Sequence, residues 1–362
     1  MTATTRSATL ADLTTLAVGG PVRELVETDT EQEFIDAIRA ADTDGTPLLV
    51  IGGGSNLLVD DEGFDGVVVR DTRQGFTVPD HSACAGVTLT VPAGTRWDDV
   101  VEHCAGVRLK GIEALSGIPG STGATPVQNV GAYGQEVAET IATVRVWDRE
   151  RSRVRTLPLV DLTFGYRTSL LKQSMLTDPQ DPATPWFPTP RYVVLDVTFQ
   201  LRVAQLSEPI RYAELARTLD IAVGERAPLP EVRAAVLGLR ARKGMVLDPA
   251  DPDTRSAGSF FTNPVLTEAE AAALPEDAPR FPAGEGLVKT SAAWLIEQSG
   301  FGKGYGLPGP AALSTKHTLA LTNRGGASAA DLLTLARTVR DGVAERFGIT
   351  LVPEPVLVGT AL

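Results

Sequence analysis

Residues 117–134, GIPGSTGATPVQNVGAYG, constrain this chain more than any other segment: five glycines and two prolines in 18 residues, with no charged side chain. Gly and Pro at that density interrupt both helix and strand, yet the run is too apolar for a solvated linker. It reads as buried irregular backbone that offers N–H and C=O groups, with the amides of Gln128 and Asn129, to a large ligand. The bland alternative is a tightly packed loop. A chain of 362 residues is long enough for two or three domains around such a surface.

Charge and cysteine content narrow the ligand. With 33 Lys plus Arg against 45 Asp plus Glu, the net charge is −12. That is a poor footprint for sequence-independent nucleic-acid binding, and an anionic ligand needs a local basic patch. Two cysteines (Cys84, Cys104) and three histidines (His81, His103, His317) exclude a disulfide scaffold and leave no zinc site, so no metal is expected. Cys104, on an apolar helix face, reads as core. No apolar signal segment opens the chain, and no apolar run approaches the ~18 residues of a membrane span. A cytoplasmic protein without a membrane partner is expected.

A second glycine loop, Gly52, Gly53, Gly54, Ser55 and Asn56, follows a strand at 47–51. A strand at 23–27 and a helix capped by Thr30 and Glu33 precede it, suggesting a β-α-β unit. The dinucleotide fingerprint fails there: Leu57 stands where a third glycine belongs, and residues 57–70 read as strand, turn, strand. Further strands are expected at 88–92, 143–147, 154–157 and 192–201, with a helix marked by Trp97, Val100, Val101 and Cys104. Residues 177–190 are Pro-rich and read as an exposed loop. From about Leu206 helices dominate, at 212–219, 230–243, 292–299 and 330–347, with a strand at 319–323; Gly348 is the natural stop of the long helix. Arg233, Arg240 and Lys243 form a basic stripe leading toward SAGSFFTNP at 256–264. Such a stripe is usually a solvated face, but in an acidic protein it hints at an anion site.

Taken in order, the glycine run, Tyr166-Arg167-Thr168-Ser169, the AGSFFTNP segment and the terminal Pro-Glu-Pro around Glu354 resemble the bacterial UDP-N-acetylenolpyruvoylglucosamine reductase family, over about residues 13–359. The resemblance implies an α+β fold with a two-subdomain FAD-binding part of the vanillyl-alcohol-oxidase type. The implied boundaries are 10–74 and 75–205 for the FAD subdomains, 206–352 for an α+β substrate domain, and 353–362 for a strand returning to the site. It further implies non-covalent FAD, with the pyrophosphate along Gly52, Gly53, Gly54, Ser55 and Asn56 and along Ile118, Pro119, Gly120, Ser121 and Gly123. Gln128, Asn129 and Gly131 would face the flavin, and NADPH would reduce it.

The implied substrate is a nucleotide sugar, UDP-N-acetylglucosamine enolpyruvate, reduced to UDP-N-acetylmuramate for peptidoglycan precursor synthesis. By resemblance, Arg167 grips its carboxylate, Ser259 is the proton donor and Glu354 polarises the enol ether. Tyr212, the tyrosine of the longer family form, joins Arg240, Lys243 and Asn263 at the diphosphate. Val356 stands where the family often has arginine. Two alternatives stay open: an FAD-linked oxidase of the same fold, with His81, Cys84, His103 or Cys104 as attachment points, and a non-catalytic nucleotide-sugar-binding flavoprotein. The oligomeric state is open, a monomer included.

Overall fold

The computed structural model describes residues 4–6, 8–82, 86–175 and 186–362. Cys84 and residues 177–185 of the Pro-rich stretch lie outside the described residues. The chain forms two compact units, one of Met1–Ala8, Val22–Gly53 and Asp65–Ala241, the other of Thr9–Pro21, Gly54–Phe64 and Arg242–Leu362.

In the first unit a small mixed sheet runs in the order Thr4–Arg6, Val22–Thr28, Phe64–Asp71, Leu48–Ile51. The Glu31–Asp44 helix begins where the Thr30 hydroxyl accepts the Glu33 N–H at 3.2 Å, and it ends at Gly45 with φ 65°. Phe34, Ile35 and Ile38, spaced for one helical face, are buried with Leu48 and Val69. The helix does join the two expected strands, but Phe64–Asp71 lies between them, parallel to Leu48–Ile51.

Residues 57–70 do form strand, turn and strand. Leu57–Val59 makes no hairpin with Phe64–Asp71 and pairs instead, in parallel, with Val356–Val358. Each apolar run has its own core to fill: Leu58 joins the second unit's core, whereas Val69 joins that of the first unit.

The first unit's main sheet is antiparallel, in the order Arg153–Pro158, Ile141–Asp148, Tyr192–Val203, Gly86–Pro92, Thr77–Ser82, with Leu109–Lys110 added to the end of the long central strand. The Trp97–Gly106 helix contributes Trp97, Val100, Val101 and Cys104 to its core beside Leu89, Val91 and Phe199. Trp97 lies 5.8 Å from the Phe199 ring, and its indole N–H donates to the Leu115 carbonyl at 3.1 Å. Each such side chain contributes about 1.5–3 kcal/mol by leaving water.

The Leu229–Arg242 helix also belongs to the first unit, since Val232, Val236 and Leu239 bury with Ile210, Leu215 and Ala114. Compactness thus differs from the expected boundaries at 74, 205 and 352: residues 206–241 group with the main sheet, while 9–21 and 54–64 group with the C-terminal part. Leu16, Val18 and Leu58 enter that part's core, which explains the second grouping. The four-way division remains a proposal about role rather than compactness.

The second unit is built on the Ala329–Phe347 helix, whose Leu332, Leu335, Ala336, Val339 and Val343 bury with Phe260, Phe261, Leu295 and Ile296. Ser328 and Asp331 form a capping box, and the Asp61 carboxylate accepts the N–H groups of Ala329 and Ala330 at 2.7 and 3.0 Å. An acidic group at this end also suits the helix dipole. Gly348 stops the helix at φ 70°. Among the described residues, no helix is long and apolar enough to cross a membrane.

Candidate active site

The glycine run is a surface where side chains would not fit. A Cβ on Gly53 would stand 2.7 Å from the Gly120 Cα, one on Gly52 would stand 2.2 Å from Ser121 Oγ, and one on Gly123 would stand 2.5 Å from the Ala93 Cβ. The two glycine loops therefore meet backbone to backbone, leaving uncharged main chain of the kind that cradles a pyrophosphate. Beyond them Ile118, Val127, Val130 and Ala132 are half-buried against the main core, an apolar shelf suited to an aromatic ring system. The two uncharged loops brought together at Gly53 and Gly120, with the apolar shelf beside them, fit FAD.

Asp98 anchors the start of the run: it accepts the Gly117 N–H at 2.6 Å and two hydrogen bonds from Arg233 at 2.7 and 2.9 Å. Burial alone would push the Asp98 carboxyl up. Bonds from Arg233 and Gly117, with the charges of Arg233 and Arg96, hold it below its ordinary value. Arg233 is thus committed to Asp98 and drops out of the basic stripe.

Arg167 is half-buried in a tight turn, with backbone φ 54°. Its two terminal nitrogens donate to the carbonyls of Asn129 and Gly131 at 3.2 and 2.8 Å, and the Tyr166 ring lies 5.4 Å from the guanidinium carbon. Ser169 Oγ ties the same segment to the Val127 carbonyl at 2.6 Å. The structure thus joins Arg167 to the run expected to face the flavin. The Asn129 amide is wholly engaged by protein: it donates to Glu136 and the Gly165 carbonyl and accepts from Ala138. Gln128 is half-buried.

In the second unit, Ser259 precedes Phe260, whose carbonyl accepts the Glu354 N–H at 2.8 Å. Phe261 bridges Pro353, and the Phe260 and Phe261 rings stack edge to face at 5.1 Å. The Asn56 amide donates to the Glu354 carbonyl at 3.2 Å, and the Asn56 carbonyl accepts the Val356 N–H at 3.0 Å. Ser259, Glu354 and the end of the first glycine loop are therefore neighbours, although they lie far apart in sequence. Val356 serves the parallel pairing with Leu57.

The expected diphosphate residues divide between the units. Tyr212, 47% exposed, caps a short helix and meets the Tyr133 ring edge-on at 5.6 Å. Burial lowers the Arg240 guanidinium from its usual value, with Tyr133 and Asp98 opposing. Lys243 follows the Leu229–Arg242 helix and is half-buried. Asn263 accepts the Ala292 N–H at 3.0 Å, at the start of the Ala292–Gln298 helix, through its amide oxygen.

Sequence reasoning missed Asp98 and Glu136. A signal existed for the second: Glu136 is the first charged residue after the uncharged stretch that begins at Ala114. Asp98 had none beyond its place on a helix. Of the possible covalent attachment points, Cys104 is fully buried, and burial, aided by the Glu113 charge, pushes its thiol up to about 12. His103 stacks on Phe76 at 4.2 Å.

Comparisons with known proteins agree with this arrangement. Residues 22–157 match an FAD-binding domain family, and residues 249–358 match the UDP-N-acetylenolpyruvoylglucosamine reductase C-terminal domain. The UDP-N-acetylenolpyruvoylglucosamine reductase of Thermobifida fusca is 52% identical, covering 99% of this chain and 98% of its own length. That of Nocardia farcinica is 54% identical, covering 99% and 91%. The crystal structure of UDP-N-acetylenolpyruvylglucosamine reductase from Thermus caldophilus superposes with a TM-score of 0.65 at 26% identity, covering 98% of this chain and 99% of that one. With the glycine cradle, the Arg167 turn and the Ser259–Glu354 strands in one sequence, the chain belongs to the UDP-N-acetylenolpyruvoylglucosamine reductase family.

Proposed function

We propose that this chain reduces UDP-N-acetylglucosamine enolpyruvate to UDP-N-acetylmuramate with FAD and NADPH, and that Arg167, Ser259 and Glu354 manage the charge and the proton. When bound and reduced by NADPH, FAD would supply a hydride for the methylene carbon of the enol ether. The adjacent carbon then carries negative charge spread into the carboxylate. Arg167 holds that carboxylate, because a guanidinium offers paired N–H groups in a planar fork that matches it. Ser259 gives its hydroxyl proton to the carbon; a hydroxyl is a weak acid, but the enolate carbon is a strong base and positioning suffices. Glu354, as a protonated donor, polarises the enolpyruvyl group.

The observation that supports this reading is the Glu354 N–H on the Phe260 carbonyl, which brings the backbone of Glu354 beside the segment that carries Ser259. Tyr212, Arg240, Lys243 and Asn263 serve the diphosphate. Ser55, Pro119 and Gln128 complete the FAD contacts, chiefly through backbone. We place the reaction in the cytoplasm, where NADPH is available.

NADPH should bleach the yellow protein anaerobically, and the enolpyruvyl nucleotide should restore the colour faster than oxygen does. Ser259→Ala should leave bleaching by NADPH nearly intact and slow recovery by about 10²–10⁴-fold. Equal damage to both half-reactions would remove the serine from its role, and flavin retained on acid-precipitated protein would favour a covalent oxidase.

A further inference from the structure

The turn that carries Arg167 hangs on a residue for which the reaction has no use. Asn129 is 1% exposed, with backbone φ 47°. Its amide nitrogen donates to Glu136 Oε2 at 2.7 Å and to the Gly165 carbonyl at 3.1 Å, while its Oδ1 accepts the Ala138 N–H at 3.3 Å. Two acceptors on one side and a donor on the other admit a single orientation of the amide. Gly165 opens the turn, exchanging hydrogen bonds with Thr168 at 3.1 and 3.3 Å. Asn129 thus holds the turn at Gly165 by its side chain and the Arg167 guanidinium by its carbonyl, at 3.2 Å.

We propose that Asn129, backed by Glu136, is a positioning residue that aims the Arg167 guanidinium. The inference rests on Arg167 as the grip on the enolpyruvyl carboxylate. Each terminal guanidinium nitrogen carries two N–H bonds; the carbonyls of Asn129 and Gly131 take one from each, which fixes the plane of the fork. An arginine at positive φ is strained and needs surroundings that over-determine it. Asparagine suits the hub because its short amide reaches two partners at once and tolerates left-handed backbone. The Glu136 carboxylate, a charged acceptor, makes the amide's donation stronger than a neutral partner would.

Asn129→Asp tests this, since it keeps the shape, the tolerance of positive φ and the acceptor for Ala138. It sets a carboxylate oxygen against the Glu136 carboxylate and the Gly165 carbonyl, and so opens the clamp. Two ligands are titrated into the FAD-loaded protein and followed by the flavin spectrum: the enolpyruvyl nucleotide, and UDP-N-acetylglucosamine, which has no carboxylate.

Asn129→Asp should weaken the first roughly tenfold and the second less than about twofold, with FAD content unchanged. Glu136→Gln, which leaves an oxygen to accept, should lose less than Glu136→Ala on the same selective scale. Arg167→Ala separates the two readings: if it fails to discriminate between the ligands, the carboxylate grip is wrong. If Arg167→Ala discriminates while Asn129→Asp weakens both ligands equally or neither, the positioning role is overturned. Should Asn129→Asp lose FAD, the Glu136 pair decides by the same selectivity.

Discussion

Asp98 shows how one carboxylate organises a site without facing it. It binds the first N–H of the glycine run and clamps Arg233 on the Leu229–Arg242 helix. Its carboxyl is held below the ordinary value in the folded protein. The stability it contributes is therefore fully present above the unfolded-state value near about 4, and it is lost as pH falls through the depressed folded value. Asp98→Asn should cost about 1–3 kcal/mol at pH 7 by leaving Arg233 without its counter-charge, and that gap should shrink at about pH 3. Urea denaturation of both proteins at the two pH values measures it; an unchanged gap would mean that the charge is not the cause. At this scale the sequence was only half legible. Arg167, Ser259 and Glu354 are singled out by the resemblance of the ordered motifs around them, whereas Asp98 reads as any helix-surface acid and Arg233 as part of a basic stripe.

At the scale of elements, periodicity served well. The Ala329–Phe347 helix lies within one residue of its expected 330–347 span, because its apolar stripe and Gly348 report local geometry. Gly342 in its middle is the exception to local logic. Alanine there would favour helix by about 1 kcal/mol, but a Cβ would stand 2.5 Å from Phe301 Cζ. Gly342→Ala should destabilise by about 1–2 kcal/mol in the native background and stabilise in a Phe301→Ala background. A thermal-unfolding double-mutant cycle without that reversal would show that the ring yields freely. In the 57–70 segment both expected strands form, but strand propensity marks a strand and not its partner, and Leu57–Val59 pairs with Val356–Val358 about 300 residues later.

For the molecule as a whole, charge sets the terms of recognition. At net −12 the chain repels anions on average, so a diphosphate depends on local cations such as Lys243. The KM for the enolpyruvyl nucleotide should rise with ionic strength. Lys243→Ala should raise it about tenfold, the equivalent of about 1.4 kcal/mol, and flatten the salt dependence. Steady-state kinetics across a salt series checks both, and an unaltered salt slope would remove Lys243 from the diphosphate site.

The sequence by itself determined the class of the protein: an acidic chain poor in Cys and His, with an uncharged glycine run, ordered motifs of a flavin reductase and most of its helices. Those are properties of composition and of neighbours within a few residues. Tertiary structure alone decided that Gly53 and Gly120 touch backbone to backbone, that Glu354 lies beside Phe260, and that the Asn129 amide donates to the Gly165 carbonyl of the turn that carries Arg167. It also moved residues 206–241 into the first unit. Such contacts depend on which distant segment fills a given core or satisfies a given buried amide, and no local periodicity records that choice.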